Sequence, residues 1–559
     1  MTNRFFALCS AIALLAFFAV FLFLPLYTVL AEGLDTGVFL EICRNQLYLS
    51  GLLNSFLIAV LTTALVFLIA LPLALLYDRY DFPGKGFCSV LMMIPMILPP
   101  FVGALGFQQI LGHYGVLNSV LTACGLPRVD FLGGNGRFWA VCVIEALHLY
   151  PILYLNLISS LANIDPSLPE AARNTGASTL TCFRKITLPL LRPGILAGGS
   201  IVLIWSFTEL GTPLMFGFNT VTPVQIFNGI TELESNPATY TLVIIMLAVS
   251  CLLYLGGRVL LGGTGATAAD SQSKGAAASR AVPLRGFRSL LPPALFWGFA
   301  FFSSLPHLAL ILTACSSDWY GSILPLQYTL DHFQNALSSP LVLPSIVNSL
   351  RYSLIALGFA LLIGLLTAFL TQRSTLRFRG MFDLLAMLPL MIPGIVMAVG
   401  FLGMSVRYAW AGAFFDPVNN PVLLIAAAYA IRRIPYVLRS VTAGLEQTPV
   451  ELENAARNAG AGAWRSVWKI TLPLIAANLM VGGLFAFSFS MLEVSDSLIL
   501  AQKSDFYPIT KAIYELSQYL GSGPYIASAF GVWAMCFLAC TLIAASVMLG
   551  RKMGSLFRL

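Results

Sequence analysis

Four ionisable residues lie within or beside long apolar stretches of this sequence. A charge inside a membrane is costly and for that reason points to function. Glu209 and Glu493 occupy matching positions after two polar segments, and they could line a translocation pathway, pair with a neighbouring helix or lie near the outer interface. Arg432 and Arg433 could line a cavity, but snorkelling toward the cytoplasm near Pro435 is favoured.

The sequence gives no indication of a metal or cofactor site. Glu145 and His148 are three residues apart on one predicted helix face, and two ligands are too few for a metal, so a hydrogen-bonded structural pair is favoured. The ten cysteines are scattered without a C-x-x-C pair. They predict neither a disulfide framework nor a metal cage.

A second group of polar residues forms a short segment that occurs twice. The first copy reads Glu170-Ala-Ala-Arg-Asn-Thr-Gly176 and the second Asn454-Ala-Ala-Arg-Asn-Ala-Gly460, which lies 460 − 176 = 284 positions later. Both continue to Ile-Thr-Leu-Pro, ending at Pro189 and Pro473. Shared spacing over this length indicates an internal duplication.

Each copy predicts two short helices joined by a glycine turn. Asp165 with Pro166 reads as a helix start, Thr448 to Glu451 reads as a capping box, and the glycines supply left-handed stops. The second helix of each copy is predicted to end at its proline. Small residues at fixed positions favour docking of another protein over contact with lipid headgroups. The candidate docking residues are Glu170, Ala171, Ala172, Gly176, Glu453, Ala455, Ala456 and Gly460.

The surrounding chain has the composition of a helical membrane protein. Of its 559 residues, 58% are hydrophobic and 10% are charged, and the mean hydropathy is +0.85. Apolar runs long enough to cross a bilayer predict an all-α integral membrane fold with about twelve transmembrane helices in two parallel six-helix repeats. The first is interpreted as an uncleaved span, since its apolar core is too long for a signal peptide. The spans fall at about 1–30, 53–77, 88–111, 136–159, 193–216, 239–261, 289–314, 344–371, 381–405, 418–440, 475–500 and 525–549.

The duplication extends through the predicted spans. Gly106-Phe107 matches Gly400-Phe401 at an offset of 400 − 106 = 294, and Pro95 matches Pro389. Prolines of the third span in each half, including Pro99, predict a break there. The predicted domains are a first transmembrane half at 1–261, a flexible linker at 262–288 and a second transmembrane half at 289–559.

Charge asymmetry predicts the orientation. The net charge is +7, and lysines and arginines concentrate in alternate loops, including both copies of the repeated segment. By the positive-inside rule, the repeated segments and both termini face the cytoplasm. The same rule explains the basic balance without nucleic acid as a partner.

The repeated segments resemble the EAA loops of permease subunits in bacterial ABC importers. The resemblance covers nearly the whole chain and is greatest to the fused, double-length permeases of ferric iron importers. It implies that Glu170 and Gly176 dock the first loop into a cytoplasmic ATPase. The second loop departs from the pattern, since Asn454 stands where glutamate is expected and Glu453 precedes it.

The resemblance also implies partners and a location. Two loops imply two copies of an ATP-binding subunit, because the sequence contains no G-x-x-x-x-G-K-[ST] phosphate loop. A periplasmic or lipid-anchored solute-binding protein, the bacterial inner membrane and its lipid complete the assembly, and the chain itself is not an enzyme. Iron(III) is the expected solute, with a phosphonate, a sugar phosphate or thiamine as alternatives.

Two other classes of protein compete with this interpretation. A secondary transporter of the major facilitator type also has twelve spans, but Asp78-Arg79 is only a fragment of its loop motif and is not repeated. A membrane enzyme would need the intramembrane Glu and His to be catalytic, and no nucleophile–base motif accompanies them.

Overall fold

The computed structural model describes residues 4–97, 100–232, 237–261 and 281–549, and every structural statement below concerns these residues. Pro99, most of the predicted linker and both chain ends lie outside them. The first half contains helices α1 (Arg4–Phe18), α2 (Leu24–Gly33), α3 (Thr36–Arg44), α4 (Gln46–Arg79), α5 (Lys85–Leu91), α6 (Pro100–Leu111), α7 (Val116–Ala123), α8 (Gly136–Leu161), α9 (Ser167–Asn174), α10 (Thr179–Cys182), α11 (Leu188–Leu190), α12 (Arg192–Phe207), α13 (Gly211–Met215), α14 (Thr222–Asn228) and α15 (Ala238–Leu261).

The second half repeats this order of helices. It contains α16 (Leu291–Ala314), α17 (Asp331–Ser338), α18 (Val342–Arg373), α19 (Arg379–Met391), α20 (Gly394–Arg407), α21 (Ala409–Phe414), α22 (Val422–Gln447), α23 (Val450–Asn458), α24 (Ala463–Ser466), α25 (Leu472–Met491), α26 (Ser495–Leu500), α27 (Ile509–Ser517) and α28 (Gly523–Leu549). Short strands β1 (Tyr80–Asp81) and β2 (Val282–Pro283) pair in parallel.

The predicted all-α membrane fold is confirmed. Nine helices of the described residues are long and apolar enough to cross a membrane, and two bent helix pairs raise the number to eleven. One of those pairs, α19 and α20, bends by 100° beside Pro393, where the sequence predicts a break. The predicted span at 418–440 corresponds to α22, which is 26 residues long and carries Arg432 and Arg433.

The helices pack into two compact units. The first-half unit comprises the described residues of 47–224 and 248–329, and the second-half unit those of 1–46, 225–247 and 330–556. Each unit therefore includes the first span of the other sequence half: α16 belongs to the first-half unit, and α1 and α2 belong to the second-half unit. The domain boundaries drawn from the repeat stay a prediction about the sequence halves.

The repeated Gly-Phe pair accommodates these exchanged spans. In the first-half unit, a Cβ added to Gly106 would lie 2.0 Å from the carbonyl oxygen of Pro306 in α16. In the second-half unit, a Cβ added to Gly400 would lie 2.8 Å from the carbonyl oxygen of Pro25 in α2. Only glycine permits a backbone approach this close. The duplicated glycines thus perform the same packing task in both units.

A repeated asparagine ties the second span of each half to a later loop. Asn54 in α4 donates its side-chain amide to the carbonyl oxygen of Thr220 at 2.8 Å. Asn348 in α18 donates to the carbonyl oxygen of Asp505, also at 2.8 Å. Backbone groups in an apolar environment must find a partner inside the protein. The duplication therefore preserves a structural hydrogen bond as well as a sequence pattern.

Candidate functional site

The two repeated segments fold into matching helix–turn–helix loops. Helices α9 and α23 each end at a glycine with positive φ, +90° at Gly176 and +88° at Gly460. The left-handed stop predicted at both glycines is present, and only glycine adopts it without strain. The polypeptide then turns into α10 or α24 and continues toward the next membrane span.

Both loops present small side chains to the surroundings. Ala171 and Ala455 are exposed at the same position of their helices, and Ala172 and Ala456 are half-buried behind them. Side chains this small allow another backbone to approach the helix closely. In each unit, the loop therefore offers a shallow surface suited to receiving a protein partner.

The start of the first loop follows the predicted pattern within one residue. Asp165 accepts a hydrogen bond from the backbone amide of Ser167 at 2.9 Å, and this bond lowers the pKa of the Asp165 carboxyl below its usual value. The predicted capping box of the second loop is wrong. The hydroxyl of Thr448 instead donates to the carbonyl oxygen of Gly444 at 2.9 Å, within the last turn of α22.

The prediction that each loop's second helix ends at its proline holds for the first loop, where the helix ends at Leu190, one residue after Pro189, and is wrong for the second. A π-helical turn at Phe183–Thr187 leads into α11, and one at Val467–Thr471 leads directly into α25. The wider π turn places its hydrogen bonds five residues apart, so a proline that has no amide hydrogen is accommodated just after it. Trp464–Met491 therefore forms a single 28-residue helix from the second loop into the membrane.

The two loops differ in how they are attached to the membrane helices. Glu453 in α23 is 5% exposed, and its Oε1 accepts from Arg373 Nε at 3.0 Å and from the Thr471 hydroxyl at 3.1 Å. The Nη2 of Arg373 also donates to the carbonyl oxygens of Leu445 and Thr448. This ion pair links the loop to the end of α18.

The first loop has a different residue at the matching position. The offset of 284 places Pro169 opposite Glu453, and a proline cannot form this ion pair. An open cavity lies beside Pro169, lined by Asp78, Arg79, Glu170 and Arg173 among others. Glu170 itself is exposed, as is its counterpart Asn454. The second loop thus has its carboxylate at a buried position, Glu453, whereas the first loop has its carboxylate at the next, exposed position, Glu170.

The second-half unit contains a buried cluster of four charged side chains. Arg432 and Arg433 in α22 both donate to Glu493, and Arg432 Nη1 donates to Asp496 Oδ2 at 3.2 Å. Arg433 is 6% exposed and also donates to the carbonyl oxygen of Phe489. The prediction that the two arginines snorkel to the membrane surface is wrong, because two carboxylates hold them inside the unit.

The first-half unit has different residues at the matching positions. The hydroxyl of Ser206 in α12 donates to Glu145 Oε2 in α8, while His148 Nδ1 contacts the carbonyl oxygen of Pro95 at 2.9 Å. The predicted Glu145–His148 pair is therefore wrong, since each residue has its own partner on another element. Glu209 is half-buried, and its Oε1 accepts from the backbone amide of Thr212 at 3.3 Å.

The predictions missed three residues of these contacts, and the sequence contained a usable signal for one of them. Arg373, Ser206 and Asp496 all participate in the contacts described above, and none was predicted to contribute to a site. Subtracting the offset shows that Asp496 aligns with Thr212 and Arg432 with His148. Positions at which the two halves exchange charged for neutral residues could have identified Asp496, whereas Arg373 and Ser206 align with Arg79 and Ser490 and gave no such signal.

Comparison with a family model identifies the fold. The model described as the binding-protein-dependent transport system inner membrane component matches residues 67–261 and again residues 360–547. Each match contains one repeated loop, and together they cover more than half of the chain. The chain belongs to this family. It is a fused permease in which one chain carries two copies of the family's membrane domain.

Individual relatives support the same assignment. The permease is 25% identical over 494 residues to the ferric transport system permease protein FbpB of Actinobacillus pleuropneumoniae, a match that covers 84% of this chain. It spans 65% of that protein's own length. A Salmonella typhimurium protein named as a 2-aminoethylphosphonate transport system permease, PhnU, is 30% identical over 229 residues, covering 40% of this chain and 77% of PhnU.

A solved structure also matches part of the permease. It is the crystal structure of a bacterial ABC transporter involved in the import of the acidic polysaccharide alginate. The match is 18% identical with a TM-score of 0.39, and it covers 45% of this chain and 93% of that chain.

Proposed function

We propose that this permease forms the membrane pathway of an ATP-driven importer for iron(III), delivered by an extracytoplasmic binding protein. The observation that carries the proposal is the pair of matching loops, each with exposed small residues and a glycine stop. A duplicated docking surface suits a partner that itself occurs in two copies.

The partner at the loops is an ATP-binding subunit. The permease has no phosphate loop in its sequence, so the energy source must act from another chain. The exposed faces of α9 and α23, with Ala171 and Ala455 at the centre, would dock into one ATPase each. Glu170 would add a charged contact in the first loop, and Asn454 a neutral one in the second.

Glu453 acts as a positioning residue within this scheme. Its carboxylate is buried against Arg373, so it holds α23 to α18 and does not face the partner. Movement of the second loop would thus be transmitted directly to a membrane helix. The corresponding attachment of the first loop relies on packing, since Pro169 replaces the carboxylate.

The charge balance of the second-half cluster removes the argument for an anionic solute such as an organophosphate. Arg432 and Arg433 would suit an anionic solute if their charges were available. Both guanidinium groups are instead paired with Glu493, and Arg432 is also paired with Asp496. An anion entering this cluster would have to displace a carboxylate. The similarity to FbpB, which is named as a ferric transport permease, is a separate argument in favour of iron(III) as the solute.

The loops and both termini would face the cytoplasm of a bacterium, with the spans in the inner membrane and its lipid. The concentration of arginine and lysine in the loops supports this orientation. The sequence halves 1–261 and 289–559, joined by 262–288, would each provide one family domain.

Reconstitution tests the proposal directly. The permease and its ATP-binding subunit are reconstituted in proteoliposomes, and the iron-loaded binding protein is added on the side opposite the loops. Uptake of radioactive iron is then measured with ATP or with ADP on the side of the membrane that the two loops face. Uptake that needs ATP and the binding protein is expected. Uptake driven by an ion gradient without ATP would instead establish a secondary transporter. ATP-dependent uptake of 2-aminoethylphosphonate and not iron would retain the importer and change its solute.

A further inference from the structure

Glu145 is the most deeply buried carboxylate of the first-half unit that the coupling scheme leaves without a role. It lies in α8 and is 1% exposed. Its Oε2 accepts from the Ser206 hydroxyl, and its Oε1 has no hydrogen-bond partner among the described residues. A buried carboxylate oxygen without a partner is rare and expensive, and such a group inside a membrane domain indicates a functional site.

A second carboxylate lies near Glu145. Glu209 follows α12, the helix that carries Ser206, and its backbone amide donates to the carbonyl oxygen of Ser206 at 3.4 Å. Glu209 is half-buried and its Oε1 accepts from the Thr212 amide. Two carboxylates and one hydroxyl are thus grouped between α8 and the end of α12. All three side chains provide oxygen donors.

The matching positions of the second-half unit show how such a group is neutralised. There the counterpart of Glu209 is Glu493, which two arginines hold. In the first-half unit, His148 stands opposite Arg432 and Leu149 opposite Arg433. No arginine or lysine of the described residues pairs with Glu145. Within the described residues, Glu145 is therefore a buried carboxylate with no cationic side chain paired to it.

We propose that Glu145, Ser206 and Glu209 form a transit site for a hard, multivalent cation within the first-half unit. Carboxylate and hydroxyl oxygens are the ligands that such cations prefer. The cation would take the position that guanidinium groups take in the second-half unit, and Glu145 Oε1 would gain the partner that it lacks. This inference rests on the proposed import of iron(III) and adds the residues that contact the ion.

The test compares uptake with ATP hydrolysis in the reconstituted transporter. Wild type, E145Q, E209Q and the double variant are assayed with the iron-loaded binding protein, and E41Q is the matched control because Glu41 is an exposed carboxylate in α3. The double variant is expected to lose about tenfold or more of its iron uptake, as loss of an ion's ligands does. ATP hydrolysis stimulated by the loaded binding protein should stay close to wild type, and E41Q should import iron normally.

The two readouts separate the possible failures. Iron uptake by the double variant that equals wild type would overturn the transit site, while leaving the importer intact. Equal loss of uptake and of stimulated ATP hydrolysis would also overturn it, because that pattern reports a structural role for the carboxylates. If wild type shows no ATP-dependent iron uptake, the proposed function itself has failed. Should E145Q not purify, E209Q and its carboxylate-preserving partner E209D give the same comparison, with uptake expected to recover in E209D.

Discussion

The two halves of this permease share their backbone plan but differ in how they balance buried charge. In the second-half unit, each buried carboxylate of a cluster or loop has an arginine partner: Glu493 has Arg432 and Arg433, and Glu453 has Arg373. In the first-half unit, Pro169 replaces one of these carboxylates, and Glu145 has only a serine hydroxyl.

This difference indicates a division of labour after duplication. Features that both halves need, such as the glycine stops and the Gly–Pro contacts between helices, occur twice. Buried ion pairs make one half internally neutral, which suits a rigid support. In the other half, Glu145 has no arginine or lysine partner among the described residues, which would leave it able to receive a cation. The following comparisons between matched positions test this distinction.

The largest difference is expected between the two matching glutamates. E493Q should lower the free energy of unfolding by about 3–5 kcal/mol, because it removes the carboxylate that pairs with buried Arg433 and leaves Arg432 with Asp496 alone. E209Q should cost about 1 kcal/mol, since Glu209 is half-buried and accepts one backbone hydrogen bond. Thermal unfolding of the purified variants in detergent measures both. Equal destabilisation would show that the halves do not differ in this way.

A smaller difference is expected between the two arginines that end α18 and α4. R373A should destabilise the permease by about 3 kcal/mol, since it leaves Glu453 buried and unpaired and removes two bonds to carbonyl oxygens. R79A is the matched control, because Arg79 is exposed, and its effect should stay within about 0.5 kcal/mol. The unfolding midpoints of the two variants give the comparison. If R79A were more destabilising than R373A, the buried Arg373–Glu453 ion pair would not be the stronger attachment of a loop to its membrane helix.

The smallest effect concerns a feature that both halves share. G106A should cost about 1–3 kcal/mol, because the added Cβ would overlap the carbonyl oxygen of Pro306 and force α16 away from α6. G400A should behave similarly beside Pro25. G199A is the control, since nothing lies within 4 Å of its added Cβ. A stability of G106A equal to that of G199A would contradict the close contact.

Sequence reasoning predicted most of the duplicated features and few of the contacts in which the two halves differ. The spans, the loops and the glycine stops follow from hydropathy, spacing and backbone conformation, which are local properties. The pairing of Arg373 with Glu453, some 80 residues apart, depends on which helices pack together. The Glu145–His148 pair was wrong for the same reason. Helical spacing places the two side chains on one face, but each contacts a residue of another element: Glu145 contacts Ser206 and His148 contacts Pro95.

The proposed coupling role of the two loops is most directly tested by ATP-dependent iron uptake in a double glycine variant. Gly176 and Gly460 have positive φ and open space around them, so valine at both would strain the turns without a clash in the membrane domain. G84V is a matched control, because Gly84 also has positive φ and open space but lies outside both loops. The account predicts that the double variant inserts normally and that its coupled uptake falls by about tenfold or more. A tenfold fall corresponds to an increase of about 1.4 kcal/mol in the activation free energy. G84V should retain normal uptake. Normal uptake by the purified, reconstituted double variant would contradict the account.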